Sequence, residues 1–295
     1  MARRIVDLSI YLENDVISDP PPYRPKIEYI DHTTSVEELI SFFPGLKPED
    51  LPDGEAWAIE RIELNTHNGT HLDAPYHFAS TMNKGERAIT IDEVPLDWCF
   101  QPGVKLDFTA MPAGYVVTAD DVEAELARIG HTLSPLEIVV VNTAAGKRYG
   151  RDDYVTAGSG MGYDATMYLL ERGVRLTGTD GWSWDAPFVH TREAYAATGN
   201  AALIWEGHKA GRDIGYCHLE KLHNLEVLPP TADPVGPVTR MIPLGLAITL
   251  RNNSIVGASI PTLFRSSETT LRSRTRRTTL SPNIVGSTLT RKSTV

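Results

Sequence analysis

The chain has 295 residues, 41% of them hydrophobic and 22% charged. That composition predicts a globular protein of one or two domains and excludes a membrane as partner, since no apolar run reaches spanning length. The formal net charge of −10 disfavours phosphate backbones, so nucleic acid is excluded for the folded part, and two cysteines are too few for a disulfide framework or a thiolate zinc site. A reducing cytoplasm is the expected location.

Met1-Ala2-Arg3-Arg4 carries the charge of a signal peptide, but Asp7 and Glu13 interrupt the apolar stretch that such a peptide needs. The β-branched residues of Ile5–Ile10 predict an opening strand, and Pro20-Pro21-Pro22 predicts loop. Residues 31–54 read as an irregular or helical excursion. Alternation from Ala58 to Leu64 predicts a strand that leads into the densest polar cluster of the chain. Further on, Thr118 caps a predicted helix with Asp121 at its third position, Val122, Leu126 and Ile129 on one face, and Gly130 ending it. Glu137–Thr143 then reads as a buried strand. A helix over Asp164–Arg172, stopped by Gly173, is followed by a strand over Val174–Thr179. Ala201–Trp205 is predicted as a strand and His218–Leu222 as a helical turn. The order of elements predicts a mixed α/β fold.

The C-terminal segment differs in kind. Residues 231–295 hold nine Lys/Arg against two Asp/Glu, a balance of +7 that leaves −17 for the first 230 residues. Fourteen of the thirty residues from 266 onward are Ser or Thr, which predicts an unfolded, solvated tail. The expected organisation is one domain over residues 1–250 and a Ser/Thr/Arg-rich tail over 251–295.

The segment with chemical content is His67-Asn68-Gly69-Thr70-His71-Leu72-Asp73-Ala74-Pro75-Tyr76-His77, with three of the nine histidines and an aspartate in eleven residues. Imidazole and carboxylate together suit zinc or manganese. Gly69 and Pro75 argue against a helix, so a bend is expected: His67 swings toward His71, while His71 and Asp73, two apart on extended chain, point the same way. The three are the candidate metal ligands. His77 is open between a ligand, an acid/base and a surface side chain, with acid/base preferred because hydrolysis needs a proton carrier that titrates near neutrality. Trp182 and Trp184 are candidates to line an aromatic substrate pocket, with core packing as the alternative.

The run His67-x-Gly69-Thr70-His71-x-Asp73-x-Pro75-x-His77 resembles the signature of the cyclase family of metal hydrolases, which includes bacterial kynurenine formamidases, isatin hydrolases and trans-dienelactone hydrolases. The resemblance extends from Asp7-Leu8-Ser9 through Gly178-Thr179-Asp180 to His218-Leu219-Glu220-Lys221-Leu222. It implies a swivelling β/β/α domain with a mixed or barrel-like sheet flanked by helices, usually a homo-oligomer. It also implies one or two divalent ions on His67, His71 and Asp73, His77 as acid/base, and His208 with Glu220, twelve residues apart, completing a second metal position. His218 is the rival for that second role. The implied activity is hydrolysis of a small cyclic amide or lactone, with an aryl formamide as alternative substrate. A metal- and ligand-binding protein without catalysis is the alternative of another class. The resemblance stops after Pro229-Pro230, where Met241–Leu250 is a partial candidate for a further apolar strand, and a replaced terminus is the expectation.

Overall fold

The computed structural model describes residues 6–229, and the backbone of 238–243 and 261–266. In chain order the strands are β1 Lys26–Ile30, β2 Ile59–Glu63, β3 His71–Asp73, β4 Thr81–Met82, β5 Glu86–Arg87, β6 Gln101–Asp107, β7 Val116–Val117, β8 Ile138–Asn142, β9 Gly160–Met161, β10 Leu176–Thr179, β11 Cys217–Glu220, β12 Val238–Pro243 and β13 Pro261–Ser266. The helices are α1 Val36–Ser41, α2 Pro75–Phe78, α3 Ala119–Arg128, α4 Tyr163–Glu171, α5 Phe188–Thr198 and α6 Glu206–Asp213.

The central sheet is mixed, as the element order predicts. Strands β6, β8, β10 and β11 run parallel in that order, and β3 closes the row antiparallel to β11. At the other end β12 pairs with β6, and β13 with β12. Strand β8 is apolar at four consecutive positions because it is covered on both faces. Val139 and Val141 meet Val122 and Leu126 of α3 and Ala165 and Leu169 of α4, whereas Ile138 and Val140 meet Leu8, Leu176, Leu219 and Leu225. Helix α3 starts as predicted: Thr118 Oγ1 accepts from Asp121 N–H, and Asp121 Oδ2 accepts from Thr118 N–H, the two halves of a capping box.

Three predicted elements differ. Ile5–Ile10 is not a strand over its described part. Asp7 Oδ1 takes the N–H of Ser9 and Thr70 Oγ1 takes that of Ile10, so side chains occupy the donors a ladder would use. Ala201–Trp205 is a 3₁₀ turn over Ala201–Leu203 instead of a strand, capped by the Asn200 side chain on Ala202 N–H. His218–Leu222 is not a helical turn, because Cys217–Glu220 pairs on both edges as β11. Of the segment expected to be an unfolded tail, the described residues are Pro261–Ser266, which form β13. Met241–Pro243, the start of the candidate apolar strand, belongs to β12. The boundary near residue 250 and the remainder of that segment lie outside the described residues. Among those described, no helix is long and apolar enough to cross a membrane.

Candidate metal centre

Register decides which side chains meet. On β3, His71 and Asp73 share one face, while Leu72 turns to the apolar cluster on the other. On β11, His218 and Glu220 likewise share a face. Cα pairing sets His218 opposite Asp73 and Glu220 opposite His71. Two strands thus lay two imidazoles and two carboxylates side by side, and a one-residue slip of either would exchange them for Leu72 or Leu219.

The loop before β3 brings in His67. Gly69 takes φ +67°, and Thr70 fastens the bend by donating to Lys221 O at 2.6 Å. Buried Lys221 donates to His67 O at 2.6 Å and also meets Asp19. Asp19 in turn accepts from Asn68 and from Trp182 Nε1. His67 Nδ1 then sits 3.1 Å from His71 Nε2 and 3.2 Å from Asp73 Oδ1, while His71 Nε2 lies 3.5 Å from Asp73 Oδ2 and 3.6 Å from Glu220 Oε2. The convergence expected of His67, His71 and Asp73 is therefore present. A Cβ on Gly69 would stand 3.2 Å from Leu12 Cδ2 in a left-handed backbone. Gly69→Ala is expected to cost about 1–2 kcal/mol, seen as a lowered Tm, and to loosen His67.

His208 enters from the first turn of α6. Asp185 holds it there: one carboxylate oxygen accepts from Gly207 N–H at 2.7 Å and the other meets His208 Nδ1. His77, on the short helix α2, places its ring centroid 4.2 Å from that of His67 and 5.6 Å from that of His208. Donor atoms of Asp73, His208, His218 and Glu220 all lie within 4.8 Å of one another, as do those of His67, Asp73 and His77. Both His208 and His218, rivals in the sequence, are thus in the cluster, and Asp73 belongs to both groups.

Three rings are oriented from behind. His71 Nδ1 bonds Gly69 O at 2.9 Å, His208 Nδ1 meets the Asp185 carboxylate, and His218 Nδ1 lies 3.3 Å from Tyr216 Oη, whose own hydrogen goes to Gly207 O. Since Gly69 O and the carboxylate only accept, and the Tyr216 hydrogen is committed, each Nδ1 carries its proton. In the neutral rings each Nε2 is then a bare lone pair facing the cluster. Among the described residues, Asp73 Oδ2 and His218 Nε2 are buried and have no hydrogen-bond partner. An orphaned buried polar atom costs about 1–3 kcal/mol, and a cation between them would satisfy both. The donor set, imidazole plus carboxylate, fits zinc or manganese.

Without a cation the charges pair among themselves. Burial alone would lower His218, but its contacts with Asp73 and Glu220 outweigh that and raise it to about 9. Burial would raise Glu220, yet His218 draws it down to about 2. His77 goes the other way. Burial, joined by the neighbouring His67 and His208 imidazoles and opposed by Asp73, pulls it down to about 4.

Trp184 does not line a pocket. Its side chain is fully buried in the core, with Nε1 on Thr166, and its contribution is the backbone N–H it gives to Glu220 Oε1 at 2.9 Å. Trp182 is half-buried, tied to Asp19, with its ring edge-on to Phe188. The open cleft nearby, of about 510 Å³, is lined by Asp185, Phe188, Val189, Tyr195, Ile204 and Trp205 among others, and by neither of these tryptophans. Trp205 stacks on His208 at 4.5 Å and stands 5.6 Å from His77, so it forms the wall between cleft and cluster. Sequence reading missed Asp185, Tyr216 and Trp205. Tyr216 had a signal in its two-residue spacing from His218, and Asp185 in its place beside the tryptophan pair.

The edge of this α/β sheet thus carries a buried cluster of imidazoles and carboxylates, three of its rings held from behind, that could hold a metal ion. A family model described as "Putative cyclase" matches residues 6–186, and the chain belongs to that family. A kynurenine formamidase from Geobacillus thermodenitrificans is 33% identical over 70 residues, 22% of this chain; the match spans about a third of that protein's length, 32%. An isatin hydrolase bound to the product analogue thioisatinate shares the fold, with a TM-score of 0.62 at 22% identity over 90% of this chain and 93% of that one. The isatin hydrolase A from Labrenzia aggregata gives 0.58 at 24% over 90% and 94%. A protein described as a potential metal-dependent hydrolase with cyclase activity gives 0.56 at 18% over 90% and 100%.

Proposed function

We propose that this chain is a metal-dependent hydrolase that opens a small cyclic amide or lactone. The observation that carries the proposal is the convergence of His67, His71, Asp73, His208 and Glu220, with the buried Asp73 Oδ2 left without a hydrogen-bond partner among the described residues. These five residues would hold one or two divalent cations, zinc or manganese. Such a cation, when bound, makes water acidic enough to attack near neutral pH and polarises the carbonyl under attack.

The residues around it divide the remaining work. His77, held neutral at pH 7, accepts the proton of the attacking water and passes it to the leaving nitrogen or oxygen. Its ring stands between the half-exposed His67 and the wall formed by Trp205, on the side a substrate can reach. The cleft offers Phe188, Tyr195 and Trp205 to an apolar or aromatic ring beside the scissile carbonyl. That lining, together with the thioisatinate held by the isatin hydrolase of the same fold, supports the cyclic amide class. The 33% identity to a kynurenine formamidase favours a second reading, cleavage of an aryl formamide.

The test is a panel of cyclic amides, lactones and aryl formamides assayed with chelator-stripped protein, before and after return of zinc or manganese. Turnover of a cyclic amide or lactone that vanishes on stripping and returns with the cation is the expected result. Preference for the formamides would select the second reading. Cation binding with no turnover of any class would leave a binding protein, and full activity after stripping would end the proposal.

A further inference from the structure

Resting on the metal-centre reading above, we propose that His218 is a fourth ligand which, with Asp73, His208 and Glu220, closes an inner cation position. The outer position at His67, His71 and Asp73, beside His77, is then the open one. The four inner side chains are all buried, and their donor atoms lie within 4.8 Å of one another, near enough for small side-chain shifts to bring all four onto one ion with bonds of about 2.0–2.2 Å.

The His218 ring has almost no freedom. It is stacked between Phe78, at 4.7 Å and 26°, and Trp184, at 5.8 Å and 21°, and Tyr216 Oη engages its Nδ1. Its Nε2 is 3.2 Å from Asp73 Oδ2 and 3.3 Å from Glu220 Oε1 and makes a well-formed hydrogen bond to neither. The atom is thus buried between two carboxylate oxygens, at a distance from both that a shared cation would bridge. Phe78, Trp184 and Tyr216 fill the space around the ring, so four protein donors with little room for water make a closed site, whereas a catalytic site keeps a position open. The openness lies at His67, 35% exposed where Asp73 is 4%. The two positions share Asp73 and must exchange their ions at different rates, slowly inside and quickly outside.

The experiment uses the full chain loaded with cobalt(II), dialysed exhaustively against a chelator, with retained cobalt and the visible spectrum as readouts. The expected result is a single cobalt retained per chain, with the intense absorption of a four-coordinate ion. His218→Ala, and His218→Gln as the variant that preserves more of the bulk, are expected to weaken retention by about 100-fold or more and to lose that spectrum. Circular dichroism of each verifies that it is folded. His77→Ala is expected to retain the inner cobalt. Folded His218 variants that keep both the cobalt and the wild-type spectrum would overturn the proposal and make His218 a charged partner of the carboxylates. Wild-type protein that holds no cobalt and turns over without metal would overturn the metal-centre reading itself.

Discussion

Replacing His71 with alanine is expected to remove cation retention and turnover together. His71 Nε2 faces three other donors from a side chain 3% exposed: His67 Nδ1 at 3.1 Å, Asp73 Oδ2 at 3.5 Å and Glu220 Oε2 at 3.6 Å. Its Nδ1 proton is already committed to Gly69 O, so the ring cannot be replaced in function by a rotation of a neighbour. Loss of a partner behind a ligand costs metal sites about 10–100-fold, and loss of the ligand itself is expected to exceed the upper end of that range. Isothermal titration with zinc or manganese measures the first effect and the substrate panel the second. Metal binding that survives while turnover falls would assign His71 a different role from the one proposed.

The second large effect separates chemistry from binding. His77→Ala is expected to keep the cation and lower turnover by about 10²–10⁴-fold, the range that a positioned proton carrier supplies. The sign follows from its environment: a pKa pulled down to about 4 leaves the imidazole neutral at pH 7, so it starts the cycle as an acceptor. Activity that depends on that neutral form is present above pH 5 and lost as the pH falls through 4. If His77→Ala released the cation as fully as His71→Ala, His77 would be a ligand and not the proton carrier.

The legible parts of this chain were those whose partners lie close in sequence. The Thr118 box, with Gly130 behind it, marks α3 because each signal is local: Thr118 and Asp121 meet within a single turn, and Gly130 follows the last one. The same locality made His67, His71 and Asp73 readable, since a bend at Gly69 and a two-residue strand spacing are enough to bring them together. His218 was harder: Cys217-His218-Leu219-Glu220 does alternate, but a run of four residues is too short to mark a strand by itself, and its strand character comes from pairing with β10 and β3. Asp185 and Tyr216 act through His208 and His218, so their roles exist only after the sheet and α6 have packed. Trp184 misled for a related reason. A tryptophan beside glycine and serine suggests a pocket wall, yet the sheet needed a large ring beneath α4 and α6, and its backbone, not its indole, serves the centre.

The pairing of β3 with β11 also dictates when the centre can exist during biosynthesis. His71 stands opposite Glu220, so a nascent chain displays the first histidine run long before the other half of the cluster has been made. The donors of β11 join those of β3 only through a contact between distant parts of the polypeptide, the kind that forms late and slowly. On the proposed reading, an ion offered during synthesis would therefore meet half a nest, and only the paired strands would offer the whole.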